Sequence, residues 1–362
     1  AGAIGHLCGQ TIPVARGGFD FTLRQPMGVI AAITPWNFPF LIACWKVAPA
    51  LAAGNSVVLK PASLTPLTAL MLGQLAQEAG LPDGVLQVLP GSGAEAGHAL
   101  ATHPLVRKIG FTGSTEVGTT IMKLAADDIK RVSLELGGKS PNIVFADADW
   151  ERAAAESPMS VFANTGQDCC ARSRMFIEQS IFDDFVDQFV TATEALNIGD
   201  PTNEATQVGP MVCAAQREIS ESFVTNARDT GREIRSGGDR PCERGFYLNP
   251  VVITGVETGD RAWREEIFGP VVCLRPFTDE TEMLREVNDT NFGLSGSVWS
   301  SNLSRALRVA RQVESGVISV NTHSSVHTEA PFGGFKRSGL GRDLGMSAME
   351  ACTEVKNIYV GE

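Results

Sequence analysis

The architecture can be worked out from residues 28–60, GVIAAITPWNFPFLIACWKVAPALAAGNSVVLK. Its first part, GVIAAIT at 28–34, is a short apolar run typical of a buried strand. The apolar spacing over 40–53 suits a helix, which ends at Gly54. SVVLK at 56–60 predicts a second strand. A strand, a helix and a strand joined by short loops predict a β-α-β unit with parallel strands.

The same alternation continues on both sides of this unit. Further strands are predicted at 84–90, 108–113 and 131–138, and helices at 64–80 and 114–126. We therefore expect an α/β fold with a Rossmann-like region over 26–137, helices on both faces and right-handed crossovers. Residues 11–30 alternate apolar and polar around Gly17-Gly18, which predicts a β-hairpin.

A second α/β pattern follows the first. Its strands are predicted at 140–145, 173–180, 246–256, 270–277, 293–300 and 317–321, its helices at 181–196 and 303–314, and a surface loop at 199–210. The last predicted strand, TEVKNIYV at 353–360, has no core strand nearby in the sequence. We expect it to pair with the N-terminal hairpin or with another subunit.

Composition limits the class of protein. With 43% hydrophobic and 20% charged residues, the 362-residue chain is typical of soluble globular proteins with two or three domains. A net charge of −11 and the lack of a Lys/Arg-rich run argue against a nucleic-acid or anionic-membrane partner. No apolar run approaches the ~18 residues of a membrane span, and no signal peptide is visible. The eight scattered cysteines do not predict a disulfide framework, and the five histidines lack metal-ligand spacing. We expect a cytoplasmic protein without a metal site.

The adjacent cysteines stand in GQDCCAR at 166–172. A cysteine reacts as its thiolate, and an ordinary thiol has a pKa of about 8.5. We expect a helix N-terminus, or backbone amides aimed at the sulfur, to lower the pKa of Cys169. The preceding Gly-Gln and its helical lead-in suit a tight turn that exposes one sulfur. On these residues alone an ordinary buried pair is the stronger interpretation, and a nucleophile is the alternative.

LELGGKSP at 134–141 contributes a carboxylate, Glu135, among apolar residues at the end of a predicted strand. Burial there disfavours the charged form, which suits a general base. A salt-bridged or solvent-facing glutamate is the alternative interpretation. Gly137 and Gly138 allow the close backbone approach that a cofactor or substrate running past Glu135 would need.

TPWNFPF at 34–40 follows the first strand, at the sheet edge where doubly wound folds bind ligands. Two prolines enclose Trp36, Asn37 and Phe38 in a rigid loop. The Asn37 amide could donate a hydrogen bond to a developing oxyanion. A structural turn with a buried tryptophan is the alternative.

Two glycine-containing turns could bind the phosphates of a dinucleotide. FTGSTEVG at 111–118 resembles the dinucleotide-binding fingerprint with Thr115 in place of the middle glycine, and PGSGAEAG at 90–97 also follows a strand. At either turn, a helix N-terminus would offer free N–H groups and the positive end of its dipole to a phosphate. We favour 111–118, because the next strand carries Glu135. Lys60 in LKPAS and Glu266 in EEIFGP could bind ribose, with surface charges as the alternative.

Together these motifs resemble the aldehyde dehydrogenase superfamily, specifically its hydrolytic, NAD(P)-dependent branch. The resemblance covers essentially the whole chain, and the motifs follow the family's order: TPWNFP, LKPAS, FTGSTEVG, LELGGKSP, GQDCC, EEIFGP and PFGGFKRSGLGRDLG (331–345). It implies oxidation of an aldehyde to a carboxylate, with reduction of NAD or NADP, through a thiohemiacetal and a thioester on cysteine. The partner is then a small-molecule aldehyde.

The resemblance also implies the roles of individual residues. Cys169 would be the nucleophile, Glu135 the general base, and Asn37 would stabilise the oxyanion together with the backbone N–H of Cys169. Cofactor contacts would come from Thr34, Pro35, Trp36, Lys60, Ser63, Gly113, Ser114, Gly118, Leu136, Glu266 and Phe268. Within that set, Lys60 is expected at the adenosine ribose, Gly113 and Ser114 near the pyrophosphate, and Glu266 with Phe268 at the nicotinamide end.

The implied domains are a β-hairpin oligomerisation arm (1–25 and 352–362), the cofactor domain (26–137), an α/β catalytic domain (138–337) and a C-terminal connection (338–351). Such proteins resemble homodimers or homotetramers. Relatives normally carry a further N-terminal segment, so a fragment, a truncated form or a divergent member is expected. Many NAD-preferring relatives have Glu where this chain has Ser63. Serine removes the repulsion of a 2′-phosphate, so NADP is allowed as well as NAD.

Two alternatives to this function stay open. One is a CoA-acylating relative that uses the same cysteine, although the hydrolytic base Glu135 argues against it. The other is a non-catalytic protein that keeps the fold for binding or structure. Phe38, Trp45 and Phe332 suggest an aromatic-walled tunnel for apolar or medium-chain aldehydes, with plain core aromatics as the alternative. His323, His327 and Glu329 are expected near its mouth and receive no role.

Overall fold

The computed structural model describes residues 2–15, 17–324 and 326–361; Ala1, Arg16 and Glu362, which fall within the predicted arm, and Ser325 lie outside them. Its strands are β1 (Thr11–Ile12), β2 (Phe19–Pro26), β3 (Val29–Ile33), β4 (Ser56–Lys60), β5 (Leu86–Val88), β6 (Val106–Thr112), β7 (Arg131–Glu135), β8 (Pro141–Val144), β9 (Arg174–Glu178), β10 (Glu233–Ser236), β11 (Val251–Thr254), β12 (Val271–Phe277), β13 (Ser295–Trp299), β14 (Val317–Val320), β15 (Gly339–Leu340) and β16 (Thr353–Val360).

The helices alternate with these strands. They are α1 (Pro39–Ala52), α2 (Leu67–Glu78), α3 (His98–Thr102), α4 (Thr115–Ala126), α5 (Trp150–Phe162), α6 (Phe182–Glu194), α7 (Ala214–Asp229), α8 (Arg261–Arg264), α9 (Glu280–Asn288), α10 (Leu303–Gln312) and α11 (Gly345–Glu350). In the part of the chain that the structure describes, none of them is long and apolar enough to cross a membrane.

The chain divides into two compact units. The first comprises residues 1–136, 326–333 and 339–362, and the second comprises 137–325 and 334–338. The boundary after residue 136 lies between Glu135 and the two glycines of the LELGGKSP motif. Each unit contains its own central sheet and its own hydrophobic clusters, and they are described separately below.

The first unit contains a six-stranded sheet in the order β15-β7-β6-β3-β4-β5. All of its pairs are parallel except β15 with β7, so the β-α-β units predicted from the alternation are confirmed. The strands are apolar along their length because both faces of the sheet are covered, one by the cluster around Ile109 and the other by the cluster around Val57. The carboxyl ends of β3, β4, β6 and β7 therefore lie along one edge of this sheet.

A separate antiparallel sheet in the same unit has the order β1-β2-β16. The predicted hairpin over 11–30 is only partly correct, since β2 ends at Pro26 and residues 29–33 belong to the parallel sheet. Proline lacks an N–H for a further ladder bond, which favours an end at this point. The C-terminal strand β16 pairs with the hairpin over all eight of its residues, from Thr353 opposite Pro26 to Val360 opposite Phe19.

The second unit is built around a seven-stranded sheet in the order β10-β11-β12-β9-β8-β13-β14. Only β10 pairs antiparallel with its neighbour. Two clusters of buried side chains cover its faces, one around Trp263 and the other around Phe185. Such a sheet between two apolar layers is typical of α/β domains.

Several predicted elements are shorter in the structure than in the sequence analysis. The strand predicted over 246–256 is limited to Val251–Thr254, because Pro250 precedes it, and the strand predicted over 84–90 to Leu86–Val88, because Pro90 follows. Helix α5 was predicted only as a helical lead-in to Cys169, without bounds, and helices α7 and α9 were not predicted. Helices α7 and α9 carry many charged residues, so their apolar positions are sparse in the sequence.

Candidate functional site

In the first unit, the loop 34–38 leaves β3 at the carboxyl edge of the sheet and leads into α1, where Pro39 occupies the first helical position. The Thr34 N–H donates to the Lys60 carbonyl over 3.1 Å, and the Thr65 hydroxyl donates to the Trp36 carbonyl over 3.2 Å. The loop is thereby fixed to the segment after β4. Asn37 is half-buried within it, at the end of the sheet where ligands are expected.

Lys60 ends β4, and its ammonium donates to the Pro61 carbonyl over 3.1 Å. The residue is only 5% exposed, so the alternative of a surface charge is wrong. Burial lowers its pKa from the ordinary value for lysine. Three residues on, the exposed Ser63 hydroxyl donates to the Gly91 carbonyl over 3.1 Å, which links LKPAS to the glycine-containing turn at 90–97.

The two candidate phosphate-binding turns have the same local design. Ser114 caps α4 by accepting a hydrogen bond from the Val117 N–H over 3.3 Å. Ser92 caps the single helical turn at 93–97 by accepting from the Glu95 N–H over 3.1 Å. A serine N-cap satisfies one of the free amides at a helix start and leaves others for a ligand. Both turns therefore present free backbone amides from which a phosphate could accept hydrogen bonds.

Gly118 is required by packing within this unit. A Cβ atom added there would lie 2.5 Å from the Leu136 side chain, closer than real Cβ contacts. Leu136 thus packs directly on the first turn of α4. Of the predicted cofactor residues, Gly118 and Leu136 are brought together in this way.

Two buried hydroxyl groups at the same sheet edge suit a polar ligand. Thr34 follows β3 and Thr112 ends β6, and each is less than a tenth exposed. Among the residues that the structure describes, neither Oγ1 atom has a hydrogen-bond partner. Buried hydroxyls are normally satisfied, so a bound polar group would supply what these two lack. This observation fits the expected dinucleotide.

Glu135 ends β7 and is only 3% exposed, so the solvent-facing alternative is wrong. Its backbone pairs with Gly339 on one side and its carbonyl accepts the Gly113 N–H over 3.1 Å on the other. A Cβ atom at Gly333 would lie 2.7 Å from Glu135 Oε1, so a glycine with φ of 158° leaves room for the carboxylate. The strand thus holds Glu135 in a desolvated position, as expected of a general base.

In the second unit, Cys169 follows an unusual turn. Helix α5 ends at Phe162, and Asn164, Thr165 and Gly166 then adopt left-handed φ values of 51°, 58° and 70°. Such a conformation is costly for a β-branched residue, and the surrounding structure must enforce it. The Thr165 hydroxyl donates to the Gly209 carbonyl over 3.0 Å. The turn reverses the chain so that Cys169 is partly exposed and Cys170 is buried.

The electrostatic prediction for Cys169 is wrong. The hydrogen bond with the Cys170 side chain, burial, and the nearby Asp168 and Glu266 carboxylates raise the thiol pKa well above its ordinary value. No helix begins at Cys169 among the described residues; it lies in a turn. The N-terminal dipole that would have lowered the pKa is therefore missing at this point.

Glu266 lies beside the Cys169 turn. Its Oε1 accepts the Gly138 N–H over 3.0 Å. Burial raises its pKa to about 7, opposed by that hydrogen bond and by the Lys139 ammonium. A Cβ atom at Gly137 would lie 2.1 Å from Glu266 Oε2, and one at Gly138 would lie 2.2 Å from the Cys169 carbonyl oxygen. The two glycines therefore make room for parts of the protein itself, and not only for a ligand as predicted.

Phe268, the other residue expected at the nicotinamide end, has a left-handed φ of 54°. Its carbonyl accepts the Gln216 amide over 3.0 Å, which anchors the loop to α7. A bulky residue in this region of backbone space is rare, and such strain is found mainly at functional sites.

The predicted substrate residues and histidines are distributed as follows. Trp45 and Phe332 pack edge to face with ring centroids 5.3 Å apart, and Phe38 immediately precedes α1. His327 and Glu329 are exposed. His323 is half-buried, and burial together with Arg172 and Arg152 lowers its pKa to about 3.

The cysteines form no disulfide bond: all eight of them are free. One group of candidate metal ligands exists in the described part, Asp168, Cys169 and Cys170 within 4.8 Å, and the expected lack of a metal stays a prediction.

Comparisons with known proteins define the class. The model of the aldehyde dehydrogenase family matches residues 1–358. An aldehyde dehydrogenase of Enchytraeus buchholzi is 44% identical over 361 residues, which are 99% of this chain and 73% of that protein. A phenylacetaldehyde dehydrogenase of Pseudomonas fluorescens is 46% identical over 94% of this chain and 68% of its own length. The NAD⁺ complex of an aldehyde dehydrogenase from Bacillus cereus superposes with a TM-score of 0.97 at 39% identity, covering 99% of this chain and 73% of that one.

The chain belongs to the aldehyde dehydrogenase family. It is thus an NAD(P)-dependent oxidoreductase that acts on aldehydes. The predicted family, fold and aldehyde oxidation are confirmed, whereas the mechanism through a cysteine thioester stays a prediction. The roles of individual residues stay predictions. Sequence reasoning missed Arg172 and Lys139, two fully buried cations close to Cys169 and Glu266. Arg172 stands in GQDCCAR and Lys139 in LELGGKSP, each beside other polar residues or glycines, so the local sequence does not mark either cation as buried.

Proposed function

We propose that the chain oxidises an aldehyde to a carboxylate with Cys169 as the nucleophile. The observation that supports this most directly is the strained turn at 164–166, which leaves Cys169 partly exposed while Cys170 is buried. The thiolate attacks the carbonyl carbon and forms a thiohemiacetal. Loss of hydride leaves a thioester, which water hydrolyses. Dividing the reaction at a covalent intermediate replaces one difficult step by two easier ones.

Asn37 and Glu135 complete this proposal. Asn37 would donate from its amide to the oxyanion, together with the backbone N–H of Cys169. One such donor is typically worth about 3–4 kcal/mol in the transition state. Glu135 would take a proton from the water that attacks the thioester. Its burial at the end of β7 supports this role, because a desolvated carboxylate is a stronger base.

The cofactor would be held at the carboxyl edge of the first unit's sheet, within the proposed cofactor domain 26–137. Lys60 and Ser63 would bind the adenosine ribose, and Gly113 with Ser114 would lie at the pyrophosphate. The unpaired hydroxyls of Thr34 and Thr112 support a polar ligand there. NAD(P) supplies the acceptor for the hydride. Serine at position 63 carries no charge against a 2′-phosphate, so we propose that both NAD and NADP are used.

The substrate is proposed to be an apolar or medium-chain aldehyde. Phe38, Trp45 and Phe332 are aromatic residues of the first unit, and two of them pack together. The phenylacetaldehyde dehydrogenase among the similar proteins is named for an aldehyde of this type. We also propose a cytoplasmic homodimer or homotetramer that forms through the β1-β2-β16 sheet, on which Phe19, Leu23 and Val355 are exposed.

The test is the ultraviolet absorbance of reduced cofactor with a panel of aldehydes, measured with NAD and NADP in parallel. Cys169→Ala should abolish turnover while cofactor still binds, because only the covalent step is lost. Cys170→Ala is the matched control and should retain turnover. Glu135→Gln should give one burst of reduced cofactor per active site and then stall at the thioester. Turnover that survives Cys169→Ala would disprove the proposal.

A further inference from the structure

The second unit contains a buried arginine that no step above uses. Arg172 lies three residues after Cys169 and is only 2% exposed. Burying a guanidinium is costly unless its donors are satisfied. Its position beside a reactive cysteine therefore needs an explanation.

The guanidinium connects three segments through oxygen atoms. Its Nη1 donates to the Cys170 carbonyl, and its Nε donates to the Ser297 hydroxyl over 2.9 Å. Its Nη2 lies 3.3 Å from the Gly296 carbonyl and 3.4 Å from the His323 carbonyl. Arginine is suited to such a set because its donors form a rigid planar fork. The residue directly after the nucleophile is thus tied to strand β13 and to the loop that follows β14.

The carbonyl groups in this set cannot be exchanged for a ligand without losing the turn. Each bond is assisted by a full positive charge and is stronger than a bond between neutral groups. A ligand-binding role for the arginine is therefore disfavoured. The arrangement fixes the peptide that carries Cys169 and Cys170.

The positive charge of Arg172 lies beside the Cys169–Cys170 segment, because its Nη1 donates to the Cys170 carbonyl. The groups that face Cys169 are Cys170, Asp168 and Glu266, and each disfavours a second negative charge. The Lys139 ammonium interacts with the Glu266 carboxylate. Arg172 interacts favourably with Cys170, Asp168 and Cys169 when these are charged. The half-buried His323 is held neutral by its low pKa of about 3 and adds no charge.

We propose that Arg172 is a positioning residue for Cys169, which fixes the turn through the Cys170 carbonyl and supplies the positive charge that stabilises the thiolate beside Asp168 and Glu266. The proposal rests on Cys169 being the nucleophile, as proposed above.

The experiment compares Arg172→Lys and Arg172→Met with the unmodified chain. The rate of Cys169 alkylation by iodoacetamide is measured against pH, and fragmentation mass spectrometry assigns the label to Cys169 or Cys170. Arg172→Met should raise the midpoint of this profile of alkylation rate against pH by about one pH unit, so that alkylation of Cys169 near neutral pH slows about tenfold. Arg172→Lys retains the charge but not the fork. Its midpoint should stay in place while kcat falls roughly 10- to 100-fold and KM for the aldehyde changes little.

Arg174→Met is the matched control for Arg172→Met, because it also removes a buried guanidinium and its charge. Arg174 is equally buried, at 1% exposed, and its guanidinium donates to the carbonyls of Lys139 and Val287 over 3.1 and 3.0 Å. This variant should lose comparable stability without moving the alkylation midpoint. An unshifted profile in Arg172→Met, or an unchanged kcat in Arg172→Lys, would overturn the proposal.

Ser297→Ala keeps the test decisive if the Arg172 variants do not fold. It removes one acceptor of the fork and leaves the charge in place, so kcat should fall about tenfold with the midpoint unchanged. An unchanged kcat would overturn the proposal in that case. Failure of the underlying function gives a different result, because turnover would then persist in Cys169→Ala or the label would be found on Cys170.

Discussion

The contact between Gly138 and the Cys169 peptide gives a sharp prediction for Gly138→Ala. The added Cβ would lie 2.2 Å from the Cys169 carbonyl oxygen, whereas ordinary van der Waals contact begins at 3.4 Å. The obstructing atom is backbone and not the end of a flexible side chain. The Cys169 peptide must therefore retreat by about 1.2 Å, or Gly138 must move by as much.

The expected loss follows from that displacement. Overpacking of this size typically costs about 1–3 kcal/mol of stability, which a protein of this size tolerates. A nucleophile displaced by about 1 Å loses roughly 100-fold in rate, equivalent to about 2.7 kcal/mol of barrier. We therefore expect Gly138→Ala to fold, to bind cofactor and to lose kcat with little change in KM.

The assay is steady-state formation of reduced cofactor, alongside the thermal unfolding midpoint. Gly259→Ala is the control in the same unit, because a Cβ there meets nothing within 4 Å. It should behave like the unmodified chain. A Gly138→Ala protein with kcat within about twofold of normal, a difference worth only about 0.4 kcal/mol, would refute the reasoning.

Three further predictions concern titratable side chains that are wholly or partly buried. The pKa of His323 is lowered from 6.5 to about 3 in the folded state, so only the unfolded chain takes up this proton as pH falls below about 6.5. The free energy of unfolding, measured with urea, should therefore decrease from about pH 7 to about pH 5. This decrease should be less steep in His323→Gln than in His327→Gln, the control at an exposed histidine. Lys46→Met should cost about 3–5 kcal/mol in the same assay, because it leaves Asp343 unpaired at a buried 2.8 Å ion pair. Arg131→Ala, at the exposed pair with Glu354, is the control and should leave the unfolding midpoint nearly unchanged. Lys60→Met should raise KM for NAD roughly 10- to 100-fold with kcat retained, as for loss of a hydrogen bond to a charged group, and an unchanged KM would remove Lys60 from the cofactor site.

The sequence was sufficient for features that depend on local patterns. The strand over 56–60 and the helix over 40–53 were predicted within a few residues, because apolar runs, a glycine stop and a following proline act on the chain next to them. The sheet edge that carries Asn37 and Glu135 followed from the alternation of strands and helices. Motif order gave the family, since several specific strings recur in a fixed order.

Features that depend on distant neighbours could not be predicted. The raised pKa of Cys169 arises partly from Glu266, which lies almost a hundred positions further along the chain. The burial of Arg172 depends on acceptors in β13 and beyond it. Gly138 looked like an opening for a ligand, whereas the structure fills that space with the Cys169 carbonyl. Local sequence patterns predict helices and strands, whereas tertiary contacts between distant residues determine the surroundings of each side chain.

The pairing of β16 with β2 has a consequence for how the protein is made. Arg24 and Thr353, which are joined by a 3.1 Å hydrogen bond, stand 329 positions apart in the chain. Ribosomes add about 5–20 residues per second, so β2 waits about 16–66 s for its partner strand to be synthesised. During that time an edge bearing Phe19 and Leu23 is open to other chains. Slow translation or high expression should therefore favour aggregation through this strand, and chaperones that cover it should increase the yield of native protein.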